Sequence, residues 1–317
     1  MTPGSGWVPD DKFLDRVKRS YCVASAKFRR SRWSQWFHIE RLQQDVHSAL
    51  MSESNDALRA IFSNPGASNL FFGVDNLCKH VSADDAGAGV YERDCLLQVA
   101  AAVGLKTDNP ETALDGLDRR LGARIEFINP FRGEVGVETS RGVATYRAIQ
   151  ALYQAMRIRD RTPQDAQKVL EIGAGLGRTA LYSFKSGLKE YTTIDLPMGV
   201  VSQACFLGAV LGPDRIWMTG DETDARDRIR LLSCTDLPSL RENFDLAFNA
   251  DSIVEMGPLQ ALRYGAFIRR HAREFLSINH TDARIKVWQI ALLSFPNRKK
   301  TRRDYPIRAG YFEELFV

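Results

Sequence analysis

Apolar positions in the first third of the chain recur at helical intervals. Phe13, Val17 and Tyr21 mark one helix over 10–26. Ile39, Leu42, Val46 and Leu50 mark another, which resumes after a polar break at Leu58 and Ile61. Asn64-Pro65-Gly66 predicts a turn, 81–89 a small polar loop, and 91–103 a helix closed by Gly104. The stretch 125–128 suits a short strand, 129–133 a turn, and Thr139 with Ser140 can cap a long helix through Met156. Beyond Gln167 the pattern changes. Short apolar runs at 169–172, 191–194, 215–219, 244–248, 275–278, 285–293 and 311–317 predict strands. Helices are expected near 178–186, 198–211 and 259–273. Such alternation predicts an α/β fold, a mostly parallel sheet with helices on both faces. The last two strands, joined by a basic turn without a helix, predict an antiparallel edge pair. A helical domain over 1–125 and an α/β domain over 126–317 follow from this change of pattern.

Composition narrows the function classes. With 44% hydrophobic and 26% charged residues over 317 positions, the chain can bury a sizeable core and is not a disordered or fibrous sequence. No apolar run reaches the length of a membrane span, and the first residues lack the basic start and apolar stretch of a secretory signal, so a cytoplasmic protein is expected. A formal charge of +4 is too mild to imply nucleic acid. Basic residues at 27–32 and 298–303 read as solvated faces or loops. Cys22, Cys78, Cys95, Cys205 and Cys234 are odd in number and widely spaced, which argues against disulfides and zinc.

The informative segment is Glu171-Ile-Gly173-Ala-Gly175-Leu-Gly177-Arg178, a glycine turn between an expected strand and an expected helix. A dinucleotide fingerprint requires GxGxxG; here the spacing is GxGxG and Arg178 stands where the third glycine belongs. No diphosphate needs to be cradled. The next strand ends in Asp195, followed by Leu196, and a carboxylate there can take both ribose hydroxyls. Asp221, after the expected strand at 215–219, can accept from an adenine amino group. The bland alternative is a tight turn with solvated acids. Acidic strand ends suit adenosine bearing a cationic sulfonium and suit a polyphosphate badly.

At these residues the chain resembles the class I S-adenosylmethionine-dependent methyltransferases, over residues 165–317. A closer likeness is to a bacterial sugar O-methyltransferase family. It rests on Ile194-Asp195-Leu196-Pro197, on Asn249, Ser252, Glu255 and Met256, on Asn279-His280, and on Arg308, Tyr311 and Glu313. The resemblance implies a Rossmann-like seven-stranded sheet with its last strand inserted antiparallel. It also implies S-adenosyl-L-methionine as cofactor, held by Glu171, Gly173, Gly175, Asp195, Leu196, Asp221 and Asn249.

Methyl transfer needs an acceptor lone pair held in line and a proton removed. Two acceptors compete. A sugar hydroxyl needs a general base, and His280 at a strand end is the histidine placed for it; His38, His47, His80 and His271 read as structural or surface groups. A guanidino group instead needs carboxylates, which Asp251 and Glu255 supply after the fourth strand. The plain alternative for both acids is helix N-terminal charge pairing. The stretch 252–256 is similar to small bacterial N-methyltransferases that act on free arginine in natural-product pathways. Free arginine is therefore the preferred acceptor and a sugar hydroxyl the alternative. Asp251, Ser252, Glu255, Met256 and Tyr146 are expected to bind it, with Asp251, Glu255 and His280 catalytic. The aromatic positions Trp33, Trp36 and Phe37 need a covering surface, so the N-terminal helices are expected to form a homodimer and, with 134–146, to roof the acceptor pocket.

Overall fold

A computed structural model describes residues 7–28, 39, 41–75, 88–131, 133–222, 224–282 and 286–317. Trp33, Trp36, Phe37 and most of the loop expected at 81–89 lie outside these residues. The first third is helical: α1 (Asp11–Lys27), α2 (Gln44–Met51), α3 (Asp56–Ser63), α4 (Ala88–Ala102) and α5 (Pro110–Leu121). Asp10 caps α1 by accepting from the Phe13 amide at 2.8 Å, and Asn109 with Pro110 opens α5.

Thr139 and Ser140 do not start a helix. They sit in the turn of a small hairpin, β1 (Val137–Thr139) and β2 (Gly142–Ala144), where the Thr139 hydroxyl donates to the Gly142 carbonyl. The long helix α6 (Tyr146–Arg161) begins after Thr145, whose side chain accepts from the Ala148 amide. Residues 125–128 form no strand, although Ile125 and Phe127 are buried.

The main sheet contains β3 (Lys168–Ile172), β4 (Glu190–Asp195), β5 (Ile216–Met218), β6 (Ile229–Ser233), β7 (Phe244–Ala250), β8 (Ala272–His280), β9 (Lys300–Asp304) and β10 (Tyr311–Phe316). Its order is β5-β6-β4-β3-β7-β8-β10-β9. Pairs from β5 to β8 are parallel, while β10 runs antiparallel to both β8 and β9. This is the Rossmann-like sheet with an inserted antiparallel strand, carrying one additional edge strand. Three expectations change. The basic turn expected to join the last two strands is largely β9 itself, paired antiparallel with β10. The strand beside β4 is β6, not the one at 215–219. The apolar run expected as a strand at 285–293 is helix α11 (Val287–Ser294), which buries Val287, Ile290, Ala291 and Ser294 on one face. A short, mostly apolar run broken only by Lys286 and Gln289 carries too little period, so the packing partner decides between strand and helix.

The connecting helices are α7 (Arg178–Lys185), α8 (Pro197–Leu211), the short α9 (Ser252–Glu255) and α10 (Pro258–His271). On one side of the sheet Leu170 and Ile172 meet Tyr264 and Ile268 of α10 and Ile290 of α11. On the other, Val169 and Tyr191 share a core with α6 and α8 that continues into Phe13, Leu14 and Val17 of α1 and Phe62 of α3. The boundary at 125 thus separates two patterns of elements, not two cores. Each fully buried Phe, Leu or Val contributes roughly 1.5–3 kcal/mol, so the N-terminal helices are integral to the fold. The α6 helix is fixed across the sheet by Arg157, which donates to the buried Glu313 of β10 at 2.8 Å.

Candidate active site

The carboxyl ends of β3, β4, β6 and β7 open on a cavity of about 560 Å³, a size suited to a small molecule and its partner. Three turns form its floor. The first is the glycine turn after β3. Gly173 (φ 73°), Gly175 (φ 58°) and Gly177 (φ 81°) all occupy the left-handed region, where a side chain is strained. At Gly175 an added Cβ would meet nothing within 4 Å, so this backbone faces the open cavity. At Gly173 it would collide with the Ser252 side chain; the turn is tight there because the start of the helix after β7 crowds it from behind.

The second turn follows β4. One Asp195 oxygen accepts from the Leu196 amide at 2.7 Å and the other from the Gln203 Nε2 at 2.9 Å. Burial pushes the Asp195 carboxyl up to about 6, against the pull of the amides of Leu196, Gly175 and Ala174. Glu171, only 3% exposed, accepts from the Tyr191 hydroxyl at 3.0 Å, and burial raises its carboxyl to about 8. Glu171, Asp195 and Leu196 all line the cavity.

The third turn follows β7. Asn249 is wholly buried and does not line the cavity; it pins the strands instead. Its Nδ2 donates to the Ile172 carbonyl at 2.8 Å, and its Oδ1 accepts from Asn279 at 3.0 Å. The Ser252 hydroxyl donates to the same Ile172 carbonyl. Past this pin Asp251 adopts φ 62°, ψ −41°, a conformation costing roughly 1–3 kcal/mol for a residue with a Cβ. The strained turn directs Asp251 and, one helical turn on, Glu255 and Met256 to the cavity wall. The Asp251 Oδ2 lies 3.8 Å from the Arg308 guanidinium, and its Oδ1 is buried without a hydrogen-bond partner among the described residues.

Besides Asn249, three expected site residues stand elsewhere. Asp221 is on the far side of β5 and β6, paired with Arg16 of α1 through bonds of 2.9 and 2.7 Å. Burial favours its neutral form, yet the Arg16 bond holds its carboxyl below the usual range. The cavity takes Cys234 and Thr235, after β6, in the place that Asp221 was given. His280 ends β8 with its ring 5.5 Å from that of Tyr311 and is not on the cavity wall. Tyr146 packs on Tyr91 and accepts from Gln150, one residue outside the lining.

Other lining residues had not been singled out. Arg147, Gln150, Ala151 and Gln154 present one face of α6 to the cavity. Their signal was present: two glutamines, both buried, interrupt the apolar run of this helix. Lys27, Phe28, Gln43 and Asp75 close the cavity from the N-terminal side. Arg178 is consumed by Glu134 and by Asp75 at 3.2 Å, so the glycine turn carries no spare positive charge. Among the described residues no cluster could hold a metal ion, and no helix is long and apolar enough to cross a membrane.

No protein-family model matches the chain, and no curated protein matches it significantly. Among solved structures, the methyltransferase domain of bacterial CtHen1 is 14% identical, covering 54% of this chain and 99% of that one, at a TM-score of 0.39. Magnesium protoporphyrin IX methyltransferase (ChlM) from Synechocystis PCC 6803 is 12% identical over 54% of this chain and 77% of its own, with a TM-score of 0.40. The glycopeptide N-methyltransferase MtfA is 17% identical over 52% of this chain and 88% of its own, with a TM-score of 0.39. At these identities and TM-scores the likeness neither assigns the chain to a family nor names an acceptor.

Proposed function

We propose that the chain is an enzyme, a methyltransferase that takes its methyl group from S-adenosyl-L-methionine and acts on a small polar acceptor. The observation that carries this reading is the joining of the glycine turn and Asp195 to the carboxylates Asp251 and Glu255 in one cavity. The residues suit the donor. Gly175 leaves the floor open. Asp195 accepts the Leu196 amide on one oxygen and Gln203 on the other, with the Gly175 and Ala174 amides also directed at it, and it lines the cavity where two ribose hydroxyls would meet it. The neutralised Arg178 leaves no free cation at the glycine turn itself to attract a phosphate.

When bound, S-adenosyl-L-methionine supplies an electrophilic methyl group on a sulfonium. Asp195 would hold the ribose and the Leu196 side of the turn would flank the base. On the acceptor side Asp251 and Glu255 would hold a cationic group, orient its attacking nitrogen, and hold the proton released. A guanidino group of a free amino acid, arginine, matches this pair best. A sugar hydroxyl is less well served, because His280 lies off the cavity wall.

The test is an acceptor screen with isotopically labelled donor, offering free arginine, nucleotide-sugars and simple glycosides. Label should pass to arginine. Transfer to a glycoside alone would replace the guanidino reading. Binding of the donor without transfer to any acceptor would reduce the protein to a nucleoside-binding one.

A further inference from the structure

Arginines that are largely buried in this fold are paired with carboxylates or, in Arg298, with the backbone carbonyls of Ile268 and Ala272 away from the cavity. Arg16 meets Asp221, Arg141 meets Asp118, Arg157 meets Glu313, Arg178 meets Glu134 and Arg230 meets Glu242. Arg147 departs from this pattern. It is half-buried on the cavity wall and has no carboxylate partner among the described residues. Its Nη1 donates to the Gln150 Oε1 at 3.1 Å, and the Gln150 Nε2 donates in turn to the Tyr146 hydroxyl at 2.9 Å. The guanidinium is therefore held in position on the cavity wall while no carboxylate among the described residues pairs with it, which leaves it open to an anionic ligand.

The place of Arg147 along α6 shows which ligand end it faces. Gln154, on the same helix face, accepts from Thr179 at the start of α7 and so marks the glycine turn. Arg147 lies seven residues earlier, ~10 Å along the axis. It lines the same cavity as Asp251 and Glu255, toward the end of α6 away from the glycine turn. The cavity thus has carboxylates after β7 and a guanidinium on α6 at its acceptor end.

We propose that Arg147 is an anion subsite for the acceptor, binding the α-carboxylate of a free amino acid whose cationic end meets Asp251 and Glu255. This rests on the guanidino reading above. It makes the acceptor a zwitterion read at both ends.

The test compares L-arginine with agmatine, which keeps the guanidino group and lacks the carboxylate, in the wild-type chain and in Arg147→Met. Wild type should prefer arginine. The substitution should lower kcat/KM for arginine at least tenfold, mainly through KM, and leave agmatine turnover unchanged, which also shows that the variant is folded. Affinity for S-adenosylhomocysteine should stay within twofold. Equal use of both acceptors, or no effect of the substitution on arginine, overturns the subsite and leaves the guanidino reading intact. Donor-product binding without methylation of either acceptor defeats the guanidino reading and the subsite with it. Weakened binding of S-adenosylhomocysteine, with unchanged binding of 5′-methylthioadenosine, would give Arg147 to the donor's carboxylate and likewise overturn the proposal.

Discussion

Replacing Asp195 by Ala isolates the donor half of the site. The carboxylate receives the Leu196 amide at 2.7 Å and Gln203 at 2.9 Å, with the Gly175 and Ala174 amides beside it, and faces the cavity where two ribose hydroxyls would bind. Hydrogen bonds to a charged group are worth roughly 1.5–3 kcal/mol each, so losing two sets an upper bound of about 3–6 kcal/mol. Water entering the vacated space recovers part of this. A loss of about 100-fold in affinity, ~2.7 kcal/mol, is expected for S-adenosylhomocysteine by titration calorimetry at pH 7.5. The wild-type protein provides a second readout. Its Asp195 carboxyl is raised to about 6, and hydroxyl donors favour the ionised form, so the bound state must titrate lower. Affinity should therefore be flat above pH 7 and fall, by at most about tenfold per unit, as the pH drops through 6. Gln203→Ala is the control, since it loosens the carboxylate without removing it. Unchanged affinity in Asp195→Ala, or an equal loss in Gln203→Ala, would refute the assignment of Asp195 to the ribose.

Glu255→Gln should lower methylation of arginine by several tenfold steps, because truncating one side of a buried charged pair costs roughly 2–5 kcal/mol, while donor affinity holds. His280→Asn should be mild on the same assay, and the reverse ranking would favour the sugar hydroxyl. Asp221→Asn should leave donor affinity unchanged yet lower the melting temperature by several degrees. It breaks a pair whose side chains are 7% and 14% exposed, at a cost of roughly 3 kcal/mol. Glu171, raised to about 8, binds a proton more tightly when folded than unfolded, so its contribution is full at low pH and is lost as pH rises through 8. Glu171→Gln should accordingly flatten the fall in thermal stability between pH 5 and 8, and an unaltered slope would contradict the burial assigned to it.

Much of the scaffold was legible in the chain. The glycine turn and Asp195 are local: a few consecutive residues dictate a left-handed backbone and a carboxylate at a strand end, wherever the strand packs. Alternation of strand and helix patterns likewise gave the α/β class, because each element's period reflects its own geometry. Strand order was not local. Arg230 and its neighbours alternate too briefly to announce β6, and its insertion beside β4 moved Asp221 out of the site and into a pair with Arg16. Helix α11 read as a strand because so short and mostly apolar a run shows too little period of its own. Asn249 and Asn279 sit in a motif that suggested ligand contact, yet the amide of Asn249 and the Nδ2 of Asn279 hold three strand ends together. The same holds for Arg147: its sequence neighbourhood is an ordinary amphipathic helix, and only packing removes every carboxylate from its reach among the described residues. Backbone conformation and periodicity are written in adjacent residues. Which charges meet depends on contacts between residues far apart in the chain, and those exist only once the sheet order is set.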